Sequence, residues 1–212
     1  TGVDDDLDDG DQVTAFTVEV KDGESHDAYD GVADMNWNVT TTDDDTVGFT
    51  LSTTSVSVAE TGTTAQFTVV LDAEPEGDVV IRASSNDAGE AQVGAPLTFT
   101  SSNWDTPQAF TITGVDDSIA DGDQQATFTV EVKDGESHDA YDDVANQSVT
   151  ATNTDDETAG FTLSTTSVSV TEAGGTDTFT VVLDAEPAGD VVIRASSNDA
   201  GEAQVGGPLT FT

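Results

Sequence analysis

The chain has 212 residues, and 43 acidic residues against 4 basic ones leave a formal charge of −39. That balance excludes nucleic acid and anionic membrane surfaces as partners, because phosphate contacts need cationic side chains and here there are only Lys21, Arg82, Lys133 and Arg194. Cysteine is absent, so disulfides contribute nothing, and no apolar run approaches the roughly 18 residues that a bilayer span requires.

From the amino terminus, Thr1-Gly2-Val3-Asp4-Asp5 returns as Thr113-Gly114-Val115-Asp116-Asp117, and Phe49-Thr50-Leu51-Ser52 returns as Phe161-Thr162-Leu163-Ser164. Both offsets are 112, and residues 1–100 lie on 113–212 without a gap and with 23 differences. Lys21 to Asp30 is reproduced unchanged as Lys133 to Asp142. A period of this length exceeds a solenoid turn and matches a whole immunoglobulin-sized domain. The breaks fall at Thr42-Asp43-Asp44-Asp45 and Thr154-Asp155-Asp156-Glu157. Residues 48–159 therefore read as one complete repeat, 1–47 as the back part of a preceding copy, and 160–212 as the front part of a following one. A stretch equivalent to Ser101–Ile112 would separate Thr212 from the next Thr1-like position.

Within 48–159, apolar residues alternate with Thr and Ser at period two, the mark of half-buried strands. Val56 and Val58 form the first strand, and Phe67, Val69 and Leu71 the second. Asp78 to Ala83 is the third, Leu97 with Phe99 the fourth, and Phe110 with Ile112 the fifth. Ala126, Phe128, Val130 and Val132 make a long sixth, and Val149 with Ala151 a seventh. Turn residues such as Pro75 and Gly77 punctuate the gaps, and no stretch has helical periodicity. Seven short strands in about 100 residues predict an all-β chain of tandem immunoglobulin-like antiparallel β-sandwiches.

Strand direction then places the acids. If the first strand runs towards one end, called the near end, Glu60 lies there, and the third strand delivers Asn86 to Glu90 to the same end. The fifth delivers Asp116 and Asp117, followed by Asp121 and Asp123, and the seventh delivers Asp155, Asp156 and Glu157. Carboxylates gathered in this way repel one another unless a cation sits among them. Calcium suits the case, since it takes 6–8 oxygen ligands in irregular geometry and needs neither nitrogen nor sulfur. Zinc is disfavoured by the lack of Cys and by the presence of only His26 and His138. A halophilic surface remains the alternative reading of the acidity.

Val58-Ala59-Glu60-Thr61-Gly62, then Phe67-Thr68-Val69-Val70-Leu71, then a strand ending in Val115-Asp116-Asp117, resembles the Calx-beta domain of sodium–calcium exchangers and of long bacterial surface and adhesion proteins. The resemblance implies calcium bound at one end of the sandwich by Glu60, Asp116, Asp117, Asp121, Asp155 and Asp156. Carried onto the partial copies, it implies Asp4, Asp5, Asp9, Asp43, Asp44 and Glu172. The family's Asp-Gly-Thr-Ala stretch is replaced by Ser85-Asn86-Asp87-Ala88-Gly89-Glu90, which leaves the membership of Asp87 and Asp199 open. The resemblance further implies a secreted or cell-surface location and partners that are adjacent repeats or neighbouring subunits.

Competing motifs are weaker. Asp117 to Gly122 and Asp5 to Gly10 fail as EF-hand loops, because Ile119 and Leu7 occupy the third ligand position. Ser137-His138-Asp139 has the letters of a hydrolase triad, but adjacent residues on one loop do not converge. The far-end acids Asp134, Glu136, Asp139 and Asp142 read either as a second cation site or as part of a loop that packs Tyr141 on the sandwich. Trp104 reads as a lid on the core or as a platform for a sugar. The expected function is therefore a calcium-stiffened spacer or stalk, not an enzyme. A self-assembling subunit of a surface filament or layer, and a module for surface glycans, are the alternatives.

Overall fold

The computed structural model describes residues 1–212, the side chain of Asp22 excepted. Its strands are β1 (Gln12–Val18), β2 (Met35–Thr41), β3 (Phe49–Leu51), β4 (Ser55–Ala59), β5 (Thr64–Leu71), β6 (Val79–Ser85), β7 (Ala91–Val93), β8 (Leu97–Phe99), β9 (Gln108–Gly114), β10 (Gln124–Val132), β11 (Gln147–Thr154), β12 (Phe161–Leu163), β13 (Val181–Leu183), β14 (Val191–Ile193) and β15 (Leu209–Phe211). Strands β3 to β11 build an immunoglobulin-like sandwich. One sheet has the order β4-β11-β10-β6-β8, the other β3-β5-β9-β7. All pairings are antiparallel except that of β4 with β11, which is parallel.

The period-two pattern becomes burial. In β5, Phe67, Val69 and Leu71 point inward, in β9 Phe110 and Ile112, and in β10 Ala126, Phe128, Val130 and Val132. These residues meet Val79, Ile81, Phe99 and Val149 in one core, with Phe67 and Phe110 packed at a centroid distance of 5.3 Å. The seven strands read from the sequence are present, and β3 and β7 are additional. Each of the two spans three residues, as does β8, which alternation did reveal.

Outside this sandwich, β1 pairs with β2, β12 with β13, and β14 with β15. The same sequence behaves differently there. Phe49 is 3% exposed and its equivalent Phe161 54%; Phe128 is fully buried and its equivalent Phe16 46% exposed. A strand pair alone hides one edge of each side chain; the opposing sheet removes the rest from water.

The far end of the sandwich is closed by the loop that follows β10. It carries two short 3-10 turns, Asp134–Glu136 and Asp139–Tyr141. Tyr141 is buried and its hydroxyl donates to the Ala73 carbonyl at 2.6 Å, while the His138 N–H donates to Asp78 O at 2.9 Å. The loop therefore packs its Tyr141 onto the turn between β5 and β6. Trp104 is half-buried against the core, and its carbonyl accepts the Leu71 N–H, which makes it a lid.

Candidate metal centre

Parallel pairing of β4 with β11 brings two strand ends to one place. Ala59 lies opposite Thr154, so the next residues, Glu60 and Asp155, emerge side by side, with the Glu60 N–H donating to Thr154 O at 3.1 Å. The opposing sheet reaches the same end through Gly114. A Cβ there would collide with the Ala59 carbonyl and stand 2.6 Å from Asn153 Oδ1, so only glycine lets the two sheets close beneath the acids. From this floor β9 runs on into Asp116 and Asp117.

Glu60 is 1% exposed, an extreme for a carboxylate. Carboxylate oxygens of Glu60, Asp156 and Glu157 lie within 4.8 Å of one another. Glu60 Oε2, Glu157 Oε2 and Asn153 Oδ1 are buried without a hydrogen-bond partner. Burial, then the hydrogen bond with Glu157 and the charges of Asp117 and Asp155, push the Glu60 carboxyl up to about 7. Burial also raises Glu157, with Asp156, Asp116 and Asp155 adding to the effect. Asp155 goes the other way. Its Oδ2 accepts the Gly122 N–H at 2.6 Å and its Oδ1 the Glu157 N–H at 2.8 Å, and these bonds hold it below the usual carboxylate value. Gly122 makes its bond from a left-handed conformation, φ 79°.

Of the residues read from the sequence, Glu60 and Asp156 stand in the cluster itself. Asp155 braces it, and Asp116 and Asp117 act on it through their charge. Asp117 Oδ1 also accepts the Ile119 N–H at 2.7 Å, which shapes the loop after β9. Asp121 is exposed on that loop. Asp87 and Asp199 turn back on their own loops, each accepting a glycine N–H at 3.0 Å, from Gly89 and Gly201. One period of 112 residues earlier, Asp43 repeats the role of Asp155, accepting from Gly10 and Asp45, and is likewise held low, chiefly by the Asp45 N–H. Asp5 Oδ1 accepts the Leu7 N–H at 3.2 Å; Asp4, Asp9 and Asp44 are exposed, as is Glu172.

Glu157, Asn153 and Glu90 were not among the expected ligands. Asn153 is fully buried, and its Nδ2 donates to Val115 O at 2.9 Å and to Glu90 Oε2 at 3.3 Å. Its signal in the sequence is a polar residue at a core-facing position of β11, after Val149 and Ala151. Every donor here is oxygen, which suits a hard cation, and such a cation would satisfy the buried oxygens that lack partners. At the far end, Ser137 Oγ donates to Lys133 O at 3.0 Å and accepts the Val80 N–H at 3.0 Å, so it ties a loop to a strand.

No family model matches the chain, and no curated protein is matched. Among solved structures, the chain is similar to the apo-form Calx CBD1 domain at 14% identity, over 52% of this chain and 98% of that one, with a TM-score of 0.38. It is similar to domains 4 and 5 of the S-layer protein SbsC at 21% identity, over 67% of this chain and 66% of that one, with a TM-score of 0.38. A longer S-layer chain, rSbsC(31-844), is similar at 14% identity over 95% of this chain and 29% of its own length, with a TM-score of 0.40.

Proposed function

We propose that the chain is part of a calcium-stiffened spacer, a tandem run of Calx-beta-like sandwiches with residues 48–159 as one repeat, carried outside the cell or on its surface. The observation that carries this reading is Glu60, a buried carboxylate with an unpartnered oxygen, facing two further acids. A buried carboxylate without a cationic partner is costly, and Lys21, Arg82 and Lys133 pair with Glu24, Glu131 and Glu136, none of them with Glu60. Calcium would be held by Glu60, Asp156 and Glu157, with Asp116, Asp117, Asp155 and Asp121 completing or supporting the shell. Asp4, Asp5, Asp9, Asp43 and Asp44 would serve the preceding copy and Glu172 the following one, while Asp87 and Asp199 stand outside. The ion supplies positive charge where the last strand of one repeat becomes the first strand of the next.

Among the described residues no helix is long and apolar enough to cross a membrane. Extracellular modules bind calcium at roughly 0.1–1 mM, so such a joint slackens in a calcium-poor cytosol and stiffens outside. The test is small-angle scattering of the 212-residue chain, chelated and then titrated with calcium, beside a sodium chloride series. The expected result is a longer, stiffer particle with calcium alone. If sodium chloride does as much, the acidity is a halophilic surface and the calcium joint is wrong.

A further inference from the structure

The loop after β9 and its equivalent 112 residues earlier each make a further contact, outside the acid cluster. The Glu74 N–H, in the turn between β5 and β6, donates to Asp6 O at 2.7 Å. One period later the Glu186 N–H donates to Ser118 O, again at 2.7 Å, and Ile119 and Glu186 form a parallel β-bridge. Asp6 corresponds to Ser118 and Glu74 to Glu186, so the same main-chain contact forms twice although the loops that supply the accepting carbonyl differ in sequence, Asp6-Leu7-Asp8 against Ser118-Ile119-Ala120.

We propose that the turn Ala73–Asp78 is a docking seat that receives the loop after β9 of the preceding repeat, so that the partner of each far end is the near end of another copy of this domain. The contact reads backbone, which explains its indifference to those substitutions. The seat is built: Ala73 and Pro75 are buried, Tyr141 holds the Ala73 carbonyl from beneath, and the His138 main chain holds Asp78. The unchanged block Lys133 to Asp142 thus has a structural task, that of bracing the seat. Leu7 and Ile119 are half-buried at the two junctions.

The seat also adjoins the acids. A cavity of about 490 Å³ is lined by Glu157 and Ser118 on one side and by Asp184 to Pro187 of the next repeat on the other. Both walls are negative, so a cation beside Glu157 lowers the repulsion across the junction. This coupling rests on the calcium reading; the docking does not.

Amide hydrogen exchange on the full chain tests both, with Leu7→Asp and Ile119→Asp combined as the variant and calcium binding followed by calorimetry. In the calcium-free protein the Glu74 and Glu186 amides are expected to exchange at least about tenfold slower than amides of unbonded loops, and to lose that protection in the variant while the β5 and β9 amides keep theirs. Unprotected Glu74 and Glu186 in the parent chain overturn the docking. Calcium is expected to slow both amides further. If calorimetry records binding and the two amides do not change, the coupling is wrong. If it records no binding, the calcium reading fails, and the calcium-free exchange still decides the docking.

Discussion

Glu60 concentrates the chemistry of the near end in one side chain. Its carboxyl stands at about 7 in the fold against an ordinary value of 4.5, so the folded protein keeps a proton that the unfolded chain has already released. Stability of the calcium-free protein is therefore expected to fall as pH rises from about 4.5 to about 7, then to level off. Calcium bound at the proposed site would displace that proton, so its affinity should rise across the same window; calorimetry in buffers of different ionisation enthalpy would count the proton released. Glu60→Gln keeps the shape and removes the charge. It should weaken calcium binding at least tenfold, about 1.4 kcal/mol, and reduce the pH slope, to which the raised Glu157 still contributes, without lowering the calcium-free melting temperature. Glu60 was legible in the sequence because it directly follows an alternating strand. Glu157 was placed at the same end by strand direction but lay outside the ligand set that the resemblance implies, and Asn153 was missed because an asparagine in a strand belongs to no metal motif.

At the scale of elements, alternation revealed seven of the nine strands of the sandwich, and strand direction alone sent Glu60, Asp116, Asp117 and Asp155 to the same end. The short strands β3 and β7 escaped. The pairing of first and last strands in parallel could not be read either, because it depends on which sheet each strand joins and not on any local pattern. The Lys133–Asp142 loop was read as packing through Tyr141 or as a cation site, and burial of that ring decides for packing. Tyr141→Phe should leave the Ala73 carbonyl buried without its donor and destabilise the repeat by about 1–3 kcal/mol. It should also loosen the turn below the docking seat, which urea unfolding and the Glu74 amide would report separately.

For the whole molecule, a charge of −39 is a standing force for expansion. Salt screens it everywhere, with a Debye length of about 3 Å at 1 M, whereas calcium acts where its oxygens are. Calcium at one hundred times its dissociation constant should therefore raise stability by about 2.7 kcal/mol per site on top of a plateau in sodium chloride, a difference that thermal melts at fixed ionic strength would measure. The parallel partnership of β4 and β11 has a different consequence. The chain enters the sandwich through β3, joins the β4–β11 pair at Ser55 and leaves that pair beyond Thr154, at opposite ends of five paired positions. A pull on the two termini would drag the strands along each other and load those pairs together, the shearing arrangement, instead of peeling them apart singly. Once tension has passed β3, this pair would act as a mechanical clamp, and forced unfolding would be governed by the slow rate at which that clamp ruptures.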